Sequence, residues 1–395
     1  MGEDYNMIKF KRKVLLRAPL LTVSGYGVHC RQIFDYLYSR NDLDLTVQVL
    51  NWGSTPWIVD KHAEDGLIGK IMMCSKPIKE KFDVSVQVQL PDEWDESLAH
   101  HNIGVSAFVE TDICNPMWLD KVNKMNEVIV PSNFVKEVVF NTGNVKKNIE
   151  VIPEHYNYNI DKKQNKENFH FDKKFNFLIL GQLTGDNPDN DRKNIENMIK
   201  WYCEEFKDNR NVNLILKTNS GRCSLNDRSR TVARVSEIVD RNRKGKYPTI
   251  DVLHGNLTSK EIASLFKNNK IKCLLSATRG EGYGLPLVDA AASAMPIVVP
   301  AYSGHMEFLE KENICSLNYK MSQIPPNRID ARIFMKDSKW AEVDGDDFKN
   351  KIRDVFENYT AYRKKAQRMQ QRVRNNFSRE SVFEKYDQFF EKYLG

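Results

Sequence analysis

No two of the seven cysteines stand as C-x-x-C. Cys30, Cys74, Cys114, Cys203, Cys223, Cys273 and Cys315 are odd in number and scattered, which argues against a disulfide framework or a zinc site and for a reducing compartment, the cytoplasm. Long apolar runs are missing too. The longest candidate is interrupted by Asp289 and by prolines, so it falls short of the roughly 20 residues needed to span a bilayer. Any membrane contact would be peripheral. The N-terminal stretch MGEDYNMIKFKRKVLL places acidic residues first and has only a short apolar run, unlike a secretory signal. Asn6 occupies the position where a myristoylation motif needs Ser or Thr. There is no excess of one charge large enough to require a polyanion: 59 Lys and Arg oppose 53 Asp and Glu, a net of +6. No G-x-G-x-x-G opens the first unit, which argues against a dinucleotide-dependent oxidoreductase. No internal repeat stands out.

What is present is a soluble, globular composition, 41% hydrophobic and 28% charged over 395 residues, long enough for two domains. Strand-like and helix-like segments alternate. KVLLRAPL, LDLTVQVLN, FDVSVQVQL, NIGVSAFV, NEVIVPS and NIEVIP read as strands, and GVHCRQIFDYLYSR and NFVKEVVFNTG as helices, the latter ending in a glycine cap. The pattern restarts with FNFLILGQL, KNIENMIKWYCEEF, VNLILKT, IDVLHGNL, SKEIASLF and KCLLSAT. This predicts an α/β chain of two doubly wound parallel-sheet domains with a ligand cleft between them. The expected division is residues 1–155, a polar linker at 156–175, a second domain at 176–375, and a C-terminal helix at 376–395. The Arg-rich stretch 222–246 reads as a solvated helix with a basic loop.

The most informative stretch is SATRGEGYGLPLVDAAASAMPIVVP, residues 276–300. A strand runs into Gly280, Gly282 and Gly284, then into a helix with Pro286 near its start and Asp289 on its first turn. Glycines permit close backbone approach, and a helix N-terminus favours a diphosphate. Glu281 and Asp289 suit hydroxyl groups instead. Phosphate and hydroxyls together point to a sugar nucleotide.

EGYGLPLVD resembles the E-x7-E motif of the retaining glycosyltransferases of family 4, which have the GT-B fold of two Rossmann-like domains facing a cleft. SGYGVHCRQI resembles that family's N-terminal glycine loop. VIVPSNFVKEVV and IEVIPEHYN resemble the end of its first domain, and LGQLTGDNPDNDRKNIENMIK the opening of its second. AMPIVVPAYSGHMEFL, with Gly304 and Glu307, and FSRESVFEKYDQFFEKYL resemble later family segments, the last crossing back to the first domain. The resemblance covers essentially the whole chain.

It implies roles for matching positions. Glu281 would contact donor-sugar hydroxyls and Asp289 the ribose. Arg192 and Lys193 would neutralise the diphosphate of the leaving group. Gly25 and Gly27 would lie against the phosphates from the first domain, and Gly282, Tyr283, Gly284 and Leu285 would line the donor loop. Lys217 is a further candidate phosphate contact. Three departures are visible: Asp289 where the family usually has Glu, Gln182 where many members have Arg, and Glu110 or Thr111 in FVETD where many have His. Glu110 thereby becomes a candidate catalytic residue. The implied reaction needs no metal or cofactor, and retains configuration by front-face attack with the leaving phosphate taking the acceptor proton. Asp42–Asp44 and Asp344–Asp346 superficially match the metal-binding Asp-x-Asp of the other main glycosyltransferase fold. Their turn and polar-loop settings argue against that role. His29 and His305 read as structural or surface residues rather than catalytic ones, and His100 and His101 as surface residues. The expected partners are a sugar nucleotide and a hydroxyl acceptor, a glycan or lipid-linked glycan. A hydroxymethylated base in DNA is the alternative, since LPDEWDESLAHHNIGVSAFVETD is similar to glycosyltransferase-like proteins of large viruses and phages. A catalytically silent nucleotide-binding scaffold is the alternative of another class.

Overall fold

The computed structural model describes residues 11–163, 169–183 and 187–394. The N-terminal residues 1–10, part of the expected linker (164–168), part of the expected loop before Arg192 (184–186) and Gly395 lie outside the described residues. The first half runs β1 (Arg12–Ala18), α1 (Gly25–Ser39), β2 (Leu43–Val49), α2 (Leu67–Cys74), β3 (Phe82–Val88), β4 (Ala99–Val105), α3 (Trp118–Lys124), β5 (Glu127–Val130), α4 (Asn133–Thr142) and β6 (Ile149–Val151). The second half runs β7 (Phe175–Leu180), α5 (Ile195–Glu205), β8 (Val212–Thr218), α6 (Leu225–Asn242), β9 (Thr249–His254), α7 (Ser259–Phe266), β10 (Ile271–Leu275), α8 (Leu285–Ala292), β11 (Ile297–Pro300) and β12 (Cys315–Leu317). A hairpin of β13 (Tyr319–Gln323) and β14 (Lys339–Val343) follows, then α9 (Gly345–Glu357), α10 (Tyr359–Asn376) and α11 (Arg379–Leu394).

Continuous apolar runs make these strands. Val14, Leu15 and Leu16 have no exposed surface, and every residue of β8 is buried, as expected for parallel strands covered on both faces. The first sheet has the order β2-β1-β3-β4-β5-β6 and the second β12-β11-β10-β7-β8-β9; adjacent strands in both are parallel. The order reverses between β1 and β3 in the first sheet and between β7 and β10 in the second. Ligands in open parallel sheets bind beyond the strand ends at such switch points.

Four local expectations change. Gly143 does follow α4, but its φ of 161° is extended, so it is not a left-handed cap. Asp289 lies one turn into α8, whose first turn holds no acidic residue. The stretch read as a polar linker buries Tyr156, Ile160 and Phe171 in the core of the second domain, because its few aromatics and its isoleucine find apolar surface there. His101 is not a plain surface residue either: it is half-buried and stacks on Tyr393 with ring centroids 4.2 Å apart, whereas His100 is exposed.

The Arg-rich stretch forms α6, capped by a reciprocal Ser224–Asp227 box. Asp344 caps α9 through its side chain. The last helix returns to the first domain: Val382, Tyr386, Phe389, Phe390 and Leu394 join the core of β1–β4 and α1. Tyr36 stacks on Tyr386 and Phe390, and Arg379 pairs with Asp35 at 2.8 Å. Among the described residues, no helix is long and apolar enough to cross a membrane.

Candidate active site

The loops after β7 and β10 meet at the switch point of the second sheet. Arg192 and Lys193 come from the first loop and Glu281 from the second. Lys193 Nζ donates to both Glu281 carboxylate oxygens, at 2.6 and 2.8 Å. Arg192 Nη1 donates to the Gly280 carbonyl at 2.6 Å and lies 3.4 Å from Glu281 Oε2. Its Nη2 lies 3.2 Å from Glu110 Oε1 of the first domain. Four residues chosen from separate parts of the sequence therefore form one cluster of two cations and two carboxylates.

The cluster is built to stay charged. Burial opposes ionisation of Glu281, yet Lys193 and Arg192 outweigh it and hold the carboxyl at about 2. Burial lowers the Lys193 pKa against the pull of Glu281, while Arg192 is raised by Glu110 and Glu281 despite its burial. Thr278 Oγ1 donates to Glu281 Oε1 at 2.9 Å, and the Glu281 N–H donates to Ser303 Oγ at 3.0 Å. Buried His305 donates through Nε2 to the Pro300 carbonyl at 2.7 Å and turns Nδ1 toward Ser303 Oγ, which is the structural role expected for it.

The glycines of this loop serve contact between domains. A methyl group on Gly280 would sit 2.0 Å from the Glu110 carbonyl oxygen, and one on Gly282 would sit 2.9 Å from Ala107 Cβ. Ser132 Oγ donates to the Gly282 carbonyl at 2.7 Å. Of Gly280, Gly282 and Gly284, the last alone uses a left-handed φ, +104°, and it is the N-cap of α8; Leu285 and Pro286 follow it. A cavity of about 20 Å³, lined in part by Lys193, Glu281, Gly284 and Pro286, lies behind this loop. In the first domain, Gly25 and Gly27 begin α1, and Ser24 caps it by accepting from the Gly27 N–H. Gly27 is required by packing, since a methyl there would be 2.1 Å from the Thr22 carbonyl oxygen, whereas nothing lies within 4 Å at Gly25.

The remaining candidates sit apart from the charged cluster. Lys217 is buried at the end of β8 and donates to the Gly255 carbonyl at 2.6 Å; burial lowers its pKa to about 8. Gln182 donates to Asn219 at 2.7 Å. Tyr283 is buried and donates through Oη to the Glu154 carbonyl at 2.5 Å. Asp289 accepts from the Asn157 N–H at 2.8 Å, and burial raises its pKa to about 7. His29 is buried and neutral, pushed down to about 3 by burial and His155.

Sequence reasoning assigned no role to Arg279, which is 1% exposed. It grips Glu342 through Nε and Nη2 at 2.7 and 2.9 Å and donates through Nη1 to the carbonyls of Pro188 and Asp191. It thus fixes the Arg192 loop against the Glu281 loop. An arginine inside an apolar strand–loop passage was the available signal. Ser303, Thr278 and Glu154 were also missed, because single short or isolated polar residues carry no spacing pattern.

Several solved structures share this architecture. Sucrose-phosphate synthase from Thermosynechococcus elongatus matches with a TM-score of 0.67 at 14% identity, over 97% of this chain and 99% of that one. The E. coli trehalose-6-phosphate protein bound with UDP-2-fluoro glucose matches at 0.61 and 9% identity, over 96% and 99%. Anabaena HepE in complex with UDP and glucose matches at 0.59 and 12% identity, over 96% and 99%. These likenesses show the GT-B fold. No curated protein sequence matches the chain. The model of the family "Family 4 Glycosyltransferase in conflict systems" matches residues 143–385, more than half of the chain. That span contains Arg192, Lys193, Glu281 and Asp289 and both halves of the second sheet, and the chain therefore belongs to the family 4 glycosyltransferases in conflict systems.

Proposed function

We propose that the enzyme transfers a sugar from a nucleoside-diphosphate sugar to a hydroxyl of a glycan or lipid-linked glycan, with retention at the anomeric carbon. The observation that carries this reading is the Glu110–Arg192–Glu281–Lys193 cluster at the switch point, beside the start of α8. Lys193 and Arg192 are preorganised cations where a leaving diphosphate would gain charge, and fixed charges in a water-poor site stabilise such a group strongly. Glu281, held anionic, accepts from hydroxyls of the donor sugar. Glu110, approaching from the first domain, faces the acceptor side. The departing phosphate takes the acceptor proton, so no protein nucleophile is used and no divalent metal is required. Gly25 and Gly27, at the start of α1, lie against the phosphates from the opposite wall, Gly282, Tyr283, Gly284 and Leu285 form the donor loop, and Asp289 accepts from the ribose. Lys217 acts from the neighbouring strand end. The UDP in the E. coli and Anabaena structures supports testing uridine donors first.

The test is transfer from UDP-, GDP- and ADP-sugars to a glycan panel and to a hydroxymethylated duplex, with and without EDTA, for wild type and Glu281→Gln. We expect glycan transfer by wild type that EDTA leaves unchanged and a loss of at least 100-fold in the variant. Transfer only to the duplex moves the acceptor to DNA. Background turnover by both proteins with every donor overturns the catalytic reading in favour of a silent scaffold.

A further inference from the structure

Glu154 lies where the chain leaves β6 for the second domain. Its backbone carbonyl accepts from Tyr283 Oη at 2.5 Å, and three residues later the Asn157 N–H donates to Asp289 Oδ1 at 2.8 Å. This crossing segment is therefore tied at two points to the loop and helix that carry the donor-site candidates. The Glu154 side chain is 5% exposed, and its Oε2 is enclosed without a hydrogen-bond partner among the described residues. A buried carboxyl in that state bears the cost of an unmet hydrogen bond. Neither Glu154 nor Asp289 has an ion-pair partner among the described residues. Burial and the like charge of Asp289 push the Glu154 carboxyl up to about 8. The other ionisable groups that feel Glu154 are Cys30 of α1, Tyr283 and Tyr386 of α11, none of them a cation.

We propose that Glu154 and Asp289 together form a ribose clamp, one carboxyl from each domain, that accepts the two hydroxyls of the donor nucleotide's ribose. Two carboxyls without cations suit hydroxyl donors and reject phosphate. One proton between the pair leaves at least three oxygen lone-pair sites free to accept, matching a vicinal diol. Asp289 has already committed Oδ1 to Asn157, so a second carboxyl supplies the acceptor it lacks. The clamp also makes nucleotide binding depend on both domains being in contact. It rests on the proposed use of a nucleoside-diphosphate donor.

The experiment measures, by calorimetry, binding of UDP, GDP and ADP and of their 2′-deoxy and 3′-deoxy forms to wild type, Glu154→Met and Glu154→Gln. Removal of a buried carboxyl that has no partner does not destabilise the fold, so the Met variant is expected to fold. Wild type should bind its preferred ribonucleotide about tenfold tighter than at least one deoxy form. In Glu154→Met that preference should vanish through weaker binding of the ribonucleotide alone, and in Glu154→Gln, which keeps a carbonyl acceptor, it should largely persist. A wild type that binds a ribonucleotide and both deoxy forms equally overturns the clamp, as does a Met variant that keeps the full preference or weakens all three forms alike. Absence of binding of every nucleotide by wild type overturns instead the donor reading on which the clamp rests.

Discussion

Glu281 and Glu154 are both buried carboxyls, and their surroundings drive them in opposite directions. Glu281 faces Lys193 and Arg192 and is held at about 2; Glu154 has no ion-pair partner among the described residues, and burial, with the like charge of Asp289 second, raises it to about 8. Neutralising Glu281 leaves Lys193 without its carboxylate and Arg192 with Glu110 alone; both cations are partly exposed, so the cost falls below the roughly 3–5 kcal/mol of a fully buried broken pair. Glu281→Gln should therefore lower the melting temperature as well as transfer, and thermal denaturation beside kinetics checks both. For Glu154 the sign runs the other way. Its folded value lies above the ordinary glutamate value of 4.5, so the folded chain keeps a proton that the unfolded chain releases. The stability this provides is complete below about pH 4.5 and is lost as pH rises toward 8. Glu154→Gln removes that loss. Its melting temperature relative to wild type should rise between pH 5 and pH 8.5, and a flat difference would refute the raised pKa. The residues legible in the sequence were those inside a motif. Glu281, Lys193 and Arg192 stand in recognisable surroundings, whereas Glu154 is a lone acid after a strand, and only its burial beside Asp289 distinguishes it.

Among the elements, the glycine loop before α8 shows how one pattern can have two causes. Glycine was expected there for a ligand, yet Gly280 and Gly282 also admit the backbone of residues 107–110 from the other domain. Gly280→Ala would drive a methyl into a carbonyl oxygen, which has no flexible side chain to move aside. It should cut transfer and loosen the contact between domains, read as faster proteolysis or hydrogen exchange in residues 107–112. Gly25→Ala meets open space, and its stability, measured by denaturation, should stay within about 0.5 kcal/mol of wild type. Strands and helices themselves were readable because burial on both faces writes apolar runs, as in β11, and one-sided burial writes helical spacing, as in α5. The position of Asp289 within α8 was misjudged by one turn. The helix starts only at Leu285, after the left-handed Gly284 and with Pro286 in its first turn, which leaves Asp289 beyond that turn.

Across the whole molecule, α11 is what makes the first domain complete. It fills the core beside β1 and α1 with Tyr386, Phe389 and Phe390, and Phe390 has no exposed surface. Phe390→Ala should cost about 3–5 kcal/mol, seen as a fall in the denaturation midpoint of the first domain, although the residue is far from Glu281 in the chain. The hairpin loop before β14 adds a second bridge, with Arg332 reaching Asp92 and Glu93 at 2.7 Å. These groups are substantially exposed, so Arg332→Ala should change stability by no more than about 1 kcal/mol. Alternating elements, two sheets and the strand–glycine–helix motif could all be read from the chain, since each is encoded by residues close together in sequence. The meetings could not. Lys193 and Glu281 are 88 residues apart, Asn157 and Asp289 are 132 apart, and Glu110 reaches Arg192 from the other domain. Spacing records which residues share a strand or a helix; the packing of one sheet's loops against the other's is what assembled a charged cluster on one side of the glycine loop and an uncompensated pair of carboxyls on the other.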